Sequence, residues 1–467
     1  MSDPKRQHPM MILITFLEQL KGMVVPILLV GGLEFLYGDR SGFSVWYVMV
    51  PLIVLALSVL IAVFQWWFYR YDYQDDRLYI KKGVLLKQER TIKRERIQTI
   101  HIEAGLIQRI FGLVRVGVET AGGLSETELE IKALEKAKAY ALKDTLENGM
   151  DFESGNEADG PSDEGYTVSL SRLLAAGLTS GSVFVVMGVT LAFALQFTFL
   201  LPDDFFSTLD RMGALFIGVL ILLYVAVSWV ISVLRYAITY AFYTVKKVNG
   251  EFSIQRGLIR QKHLSLKEHR VQTVIFVEGL LRQPFDVGTL QVDVAGGTGY
   301  KEQTKTVTHP LIRRTEMDGY FDYAFKDHHF TDTLDPLPKR ALRRFILRSA
   351  LPFVIPGLIA AYFTPYGWWF LVPMAPSILL GVQRYRDGGM KLEERQITLR
   401  SRALARTTTF TKKNHIQSLA ITQNILQKRR RLATIHIKVL SSPAASTYSL
   451  KDVAIDEALR LYDWLKQ

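Results

Sequence analysis

The chain has 467 residues, 49% apolar and 22% charged, with a net charge of +12 and no cysteine. That mixture excludes a single soluble globule, because nothing in one domain would cover so much apolar surface. The lack of cysteine excludes a disulfide framework and thiolate metal sites.

Segment 1–67 begins with an amphipathic stretch, HPMMILITFLEQLKG, and runs into a first apolar segment near 20–37. A second, SVWYVMVPLIVLALSVLIAVF at 44–64, carries no charge. Roughly 18–20 apolar residues cross a bilayer core. Segment 167–235 repeats the plan, with YTVSLSRLLAAGLTS, an apolar run at 181–201 and the charge-free MGALFIGVLILLYVAVSWVISVL at 212–234. Segment 339–383 does so again, with PKRALRRFILRSALP and two shorter runs at 349–364 and 366–382. These last runs contain Pro352, Pro356, Pro373 and Pro376, which membrane helices tolerate where neighbours satisfy the freed backbone groups. Six spans in three hairpins are expected. Each amphipathic stretch either lies in the interface or extends the first span of its hairpin. The first span is too long for a cleaved signal peptide.

The turns inside the hairpins are short and carry only Arg40 and Arg211, whereas nearly all of the 57 Lys and Arg lie outside them. The positive-inside rule then places both termini and the long segments in the cytoplasm. These segments are 68–146, 236–326 and 384–467, with linkers at 147–166 and 327–338. The first linker contains ENGMDFESGNEADGPSDEG, with seven acids and no base, and reads as disordered. Without it the remainder carries +19, for which anionic lipid is the natural counterpart. Nucleic acid is not expected, since no groove-reading helix is present.

The long segments are copies of one unit. Leu78–Gly123 and Phe252–Gly297 align without a gap and share 13 of 46 positions. Ile397–Ser442 is a fainter third copy, in which Gln417 matches Gln98 and Gln272. QTIHIE, LVRVGVE and LATIHIKV alternate with period two, as strands do. LIQRIF is a helical turn between two strands, and helices are expected at 134–148, 310–325 and 452–467. The fold class is a membrane protein of helical hairpins and β-rich domains: three repeats of two spans followed by a small β domain closed by a helix.

The hairpin followed by G-x-[LI], then [RH]-[IV]-Q-[TS], L-x-R and V-x-[TV]-A-G-G resembles bacterial pleckstrin-homology-like membrane proteins. The triplicate layout resembles the YdbT family. That resemblance implies a pleckstrin-homology-like (PH-like) barrel or sandwich with a C-terminal helix, and a plasma-membrane location. It implies a link to tolerance of membrane-active antimicrobial compounds and a frequent smaller single-unit companion. It transfers no catalytic residue.

Candidate sites are few. The glycines of GLIQRIFGLVRVGVETAGG do not form a phosphate cradle, since Gly112 becomes Asp286 and Gly117 becomes Gln291 in the second copy. Gly105, Gly279 and Asn424 share a position that reads as a left-handed turn. His328 and His329, with Asp327 and Asp332, read as a solvated linker rather than a metal site. Glu34, near the outer end of the first span, is a candidate intramembrane functional acid. Lys428, Arg429, Arg430 and Arg431 form the densest basic tract and are candidate anionic-lipid contacts. No catalytic, metal or cofactor site is expected. The expected role is non-enzymatic: an assembly or scaffold component of membrane-stress or antimicrobial-compound resistance, as a homo-oligomer or with a smaller PH-like relative. The alternative is a component of a transporter or exporter for a lipid or membrane-active peptide.

Overall fold

A computed structural model describes residues 5–20, 22, 46–74, 76–83, 86–120, 129–148, 165–196, 211–248, 251–295, 305–364, 367–441 and 445–466. The first span, Glu34 and most of the acidic linker lie outside the described residues.

Each copy folds into a four-stranded meander packed on a three-stranded one and closed by a helix. Copy one contributes β1 (Lys5–Arg6), β2 (Arg70–Gln74), β3 (Arg77–Lys82) and β4 (Gln88–Lys93), then β5 (Ile97–Ala104), β6 (Leu113–Thr120), β7 (Leu129–Glu135) and the helix Lys136–Asn148. Copy two contributes β8 (Tyr166–Thr167), β9 (Thr244–Val248), β10 (Glu251–Arg256) and β11 (Gln261–Lys267), then β12 (Val271–Glu278), β13 (Val287–Val294), β14 (Lys305–Arg313) and the helix Met317–Ala324. Copy three contributes β15 (Asp335–Pro336), β16 (Gly389–Leu392), β17 (Gln396–Arg402) and β18 (Arg406–Lys412), then β19 (Ile416–Thr422), β20 (Leu432–Val439), β21 (Ser446–Ala454) and the helix Ile455–Lys466.

The first strand of each domain precedes its membrane hairpin in sequence. Lys5 pairs with Tyr71, Tyr166 with Val245 and Asp335 with Met390. The apolar segments are therefore inserted between strands one and two of each domain, whereas the sequence led us to start each domain after its expected hairpin. Two-residue strands carry no periodicity, which is why they escape sequence reading.

Two sheets run across domain borders. One has the order β7-β6-β5-β11-β10-β9-β8 and the other β14-β13-β12-β18-β17-β16-β15. The joints are antiparallel, β5 with β11 and β12 with β18. Burial follows from this. In β12, Val274 and Phe276 enter the core of copy two, while Ile275 enters that of copy three with Ile397, Ile435 and Leu450. A strand buried on both faces needs a continuous apolar run, and VQTVIFVE provides one. In β5, Ile100 and Ile102 face their own core.

Gly213–Tyr240 and Lys339–Phe363 are long and apolar enough to cross a membrane, and Trp46–Phe68 is an apolar helix of 23 residues. Leu170–Leu178 meets the following helix at a bend of 58°. The amphipathic stretch is thus a separate helix in copy two, whereas in copy three it continues into the span. Met11–Leu20 is the matching helix of copy one.

Three local expectations change. Residues 310–313 belong to β14 rather than to a helix, and Pro310 is accommodated because β14 is an edge strand. Gly105 (φ −75°) and Asn424 (φ −87°) are extended caps of short helices. The left-handed position lies seven residues later, at Gly112 (φ 64°), Asp286 (φ 50°) and Arg431 (φ 50°). The segment at 327–338 is packed rather than solvated: His328 is buried beside Phe325, Phe330 lies on Phe410, and the side chain of Gln396 bonds the backbone of His329 in both directions.

His309 is also buried, 4.7 Å from Tyr166 and 5.3 Å from Tyr320, and its Nδ1 accepts the Leu311 N–H. Burial, with Arg172 adding to it, pushes His309 down to about 3; burial, then Lys412 and His415, does the same to His328. Both folded-state values lie below the ordinary 6.5, so on acidification the unfolded chain takes up these protons first. Their contribution is complete above pH ~6.5 and declines towards pH ~3, by up to about 1.4 kcal/mol per pH unit for each histidine. Denaturation midpoints of detergent-solubilised protein at pH 7, 5.5 and 4.5 check this. The His309→Gln, His328→Gln double variant is expected to lose less stability on acidification than the parent, and equal slopes would contradict the reading.

Candidate functional site

The bend after Leu178 opens a cavity of about 670 Å³ between the two long sheets. Its roof is the bend, Thr179–Ser182, and the end of the spanning helix at Arg235–Tyr240. Its walls come from β5, β10, β11, β13 and β14. His101 and Glu103, which alternate with Ile100 and Ile102 along β5, reach it from copy one. Five of the lining side chains are Lys or Arg (Arg235, Arg256, Lys262, Arg282 and Lys305) and two are histidines (His101 and His263), against one carboxylate, Glu103.

These side chains differ in their commitments. Arg282 is structural: it is buried, donates to the Ala176 carbonyl at 2.9 Å, and reaches Thr179 Oγ1 at 3.3 Å. It satisfies backbone at the end of the helix Leu170–Leu178 and so holds the bend. Lys262 and Arg260 pair with Glu103 at 3.4 and 2.5 Å across the β5–β11 joint. Arg256 lies 5.0 Å above the Tyr240 ring and Lys305 5.2 Å from that of Tyr448. Burial lowers the Lys305 ammonium, while Asp293 opposes the change. Burial, then Lys143 and Lys136, lowers His263, which is therefore mostly neutral at pH 7. The hydroxyls of Ser180, Ser182, Thr239 and Thr289 also line the space. Clustered cations in a partly enclosed wall focus a positive field. With hydroxyl donors beside them, they suit a phosphate-bearing anion.

Lys428, Arg429, Arg430 and Arg431 lie elsewhere, at an exposed tip of copy three. The tip helix Ile425–Arg429 starts with a capping box, in which the Asn424 side chain accepts the Gln427 N–H at 2.7 Å. Ile425 is 77% and Leu426 62% exposed beside the basic tract. The matching tips of copies one and two expose Ile110, Phe111 and Phe285. Arg340 donates to the Arg431 carbonyl at 3.1 Å, which ties this tip to the entry of a spanning helix. The tract and the cavity are thus separate basic features. Sequence reading missed the cavity because its cations come singly from a helix end and three strands, with no shared motif.

Each domain is tethered to its membrane-entry helix by a different polar contact. Glu18 meets Arg115 and Lys132 in copy one, and Arg172 meets Glu316 at 2.8 Å in copy two. In copy three, fully buried Asp452 accepts from Arg344 Nε at 2.8 Å, from Arg348, and from Gln427 Nε2 at 2.9 Å.

Three β sandwiches, each interrupted by an apolar segment and closed by a helix, define a membrane-anchored array of PH-like domains. The chain belongs to the bacterial PH domain family, whose model matches residues 20–150, 183–320 and 346–467. It is similar along nearly its whole length to the UPF0699 transmembrane protein YdbT of Bacillus subtilis, with 28% identity over 494 aligned residues, 99% of this chain and 98% of that one. It is a transmembrane protein with repeated bacterial PH domains.

Removing Asp452 strands two arginines, a change that costs on the order of 3 kcal/mol. Asp452→Ala is expected to lower the denaturation midpoint in detergent far more than Asp456→Ala, an acid for which no ion pair is found among the described residues. Equal midpoints for the two variants would contradict the tether.

Proposed function

We propose that this protein is a non-enzymatic scaffold of the plasma membrane, anchored by six spans in three hairpins, with its termini and PH-like domains in the cytoplasm. In this reading the basic cavity holds the phosphate headgroup of an anionic lipid, and the tips around Lys428–Arg431 lie against the same leaflet. The observation that carries it is the position of Arg235, Arg256 and Lys305 around one cavity whose roof is the end of a spanning helix. A headgroup leaving the bilayer at that point meets positive charge without crossing apolar surface. Basic side chains near an anionic leaflet contribute about 1 kcal/mol each. The exposed Ile425 and Leu426 add apolar contact at the interface. Lipid sensing of this kind fits a role in membrane-stress or antimicrobial-compound resistance, through assembly with further copies or a smaller PH-like relative.

The test replaces Arg235, Arg256 and Lys305 by alanine together. Native mass spectrometry of the detergent-released protein is expected to show at least tenfold less retained phosphatidylglycerol, about 1.4 kcal/mol in binding. Zwitterionic lipid should be unchanged, and the source strain should become more sensitive to membrane-active compounds. Unchanged retention of anionic lipid would refute the headgroup site. Unchanged sensitivity would refute the resistance role, and lipid transport by reconstituted protein would favour the exporter.

A further inference from the structure

The two joints between domains obey one rule. In the first, Glu103 pairs with Lys262; in the second, Val277 pairs with Thr407. Gln98, Gln272 and Gln417 mark the same position in the three copies. Each joint thus pairs the residue five after this glutamine in one copy with the residue ten before it in the next. The same two strands meet in the same register twice.

Among the described residues, the first and third domains each leave one strand edge open. Among the described residues, β4 pairs only with β3, and β19 only with β20. In β12 seven of eight residues are buried, whereas in the equivalent β19 Gln417, Ser418, Ala420 and Thr422 are exposed. In β4 every residue but Ile92 is exposed. β19 carries no charge and no proline, so nothing in its sequence blocks an added strand. Arg90 and Lys93 of β4 do not block pairing either, since β11 carries Lys262 within its joint.

We propose that β19 of one molecule pairs with β4 of a second copy of this chain, in the register of the internal joints: Ser418 with Ile92, Ala420 with Arg90 and Thr422 with Gln88. The occupant is a second copy because the chain carries one open strand of each of the two kinds that meet inside it. A single isologous contact would pair β4 with β4, or β19 with β19, contacts with no precedent among the described residues. The contact is therefore head to tail. Membrane anchoring keeps all copies upright, so successive copies turn about an axis normal to the bilayer and close into a ring. Glu103 and Glu278 lock the internal joints to Arg260 and Arg406, but the matching positions of copy three are Thr422 and Gln423. The outer joint lacks that ion pair and is the reversible one. This inference specifies the assembly part of the proposed role and is independent of lipid binding.

The chain has no cysteine, so single cysteines report contacts directly. Full-length Arg90→Cys and Ala420→Cys chains, carrying different tags, are co-expressed and oxidised in native membranes. A disulfide-linked heterodimer is expected, in at least fivefold excess over Arg90→Cys with Gln417→Cys, which is three residues out of register. The Arg90→Cys, Ala420→Cys double variant should give a ladder of higher species. Absence of the heterodimer with retained phosphatidylglycerol overturns the interface and leaves the lipid reading intact. Equal yields from both pairs, or a disulfide-free edge occupied by a different single-domain protein in native membranes, also overturn it.

Discussion

The insertion of each long apolar segment between the first and second strands of a β sandwich constrains the rest of the structure. Both ends of that segment must return to adjacent strands of one small sheet. The entry helices Met11–Leu20 and Leu170–Leu178 lie over the sheets, as does the start of Leu342–Phe363, tethered by Glu18, Arg172 and by Arg344 with Arg348. Neighbouring sheets join edge to edge, β5 with β11 and β12 with β18. The two seven-stranded sheets are the result.

Edge joining also explains how one fold is used three ways. The central domain gives both of its edges to neighbours, and its β12 is buried on both faces. The first and third domains each give one edge and retain one. The cavity forms where the joint between copies one and two passes beneath the bend at Thr179–Ser182. Its position is a consequence of the fusion, since His101 and Glu103 reach it from a different domain than Arg256 and Lys305 do. Arg282 occupies the place that Gln108 and Gln427 hold in the other copies, and the longer side chain spans from β13 to the carbonyl of Ala176.

Much of this was legible in the sequence. The apolar runs gave the long apolar helices Gly213–Tyr240 and Lys339–Phe363, the period-two alternation gave strands such as β6 and β20, and Gln98, Gln272 and Gln417 aligned the copies. The domain-fusing joints were not legible. VQTVIFVE is buried on both faces, but even an apolar run of this kind does not reveal the partner strand. The two-residue strands β1, β8 and β15 carry no pattern at all. The left-handed position at Gly112 was hidden because Asp286 and Arg431 adopt it too, held by surrounding strands rather than by residue type. The basic tract at Lys428–Arg431 was visible as a run, whereas the cavity cations are scattered through the chain and converge only on folding.

The central claim is that adjacent domains share continuous sheets. Amide hydrogen exchange on the full-length protein in lipid nanodiscs tests it most directly. Continuous sheets predict that β11 and β18, paired on both sides, exchange slowly across Gln261–Leu264 and Thr407–Thr411, at rates close to those of the interior strands β10 and β17. Exchange at those segments as fast as in the loop around Ala403–Ala405 would contradict the account.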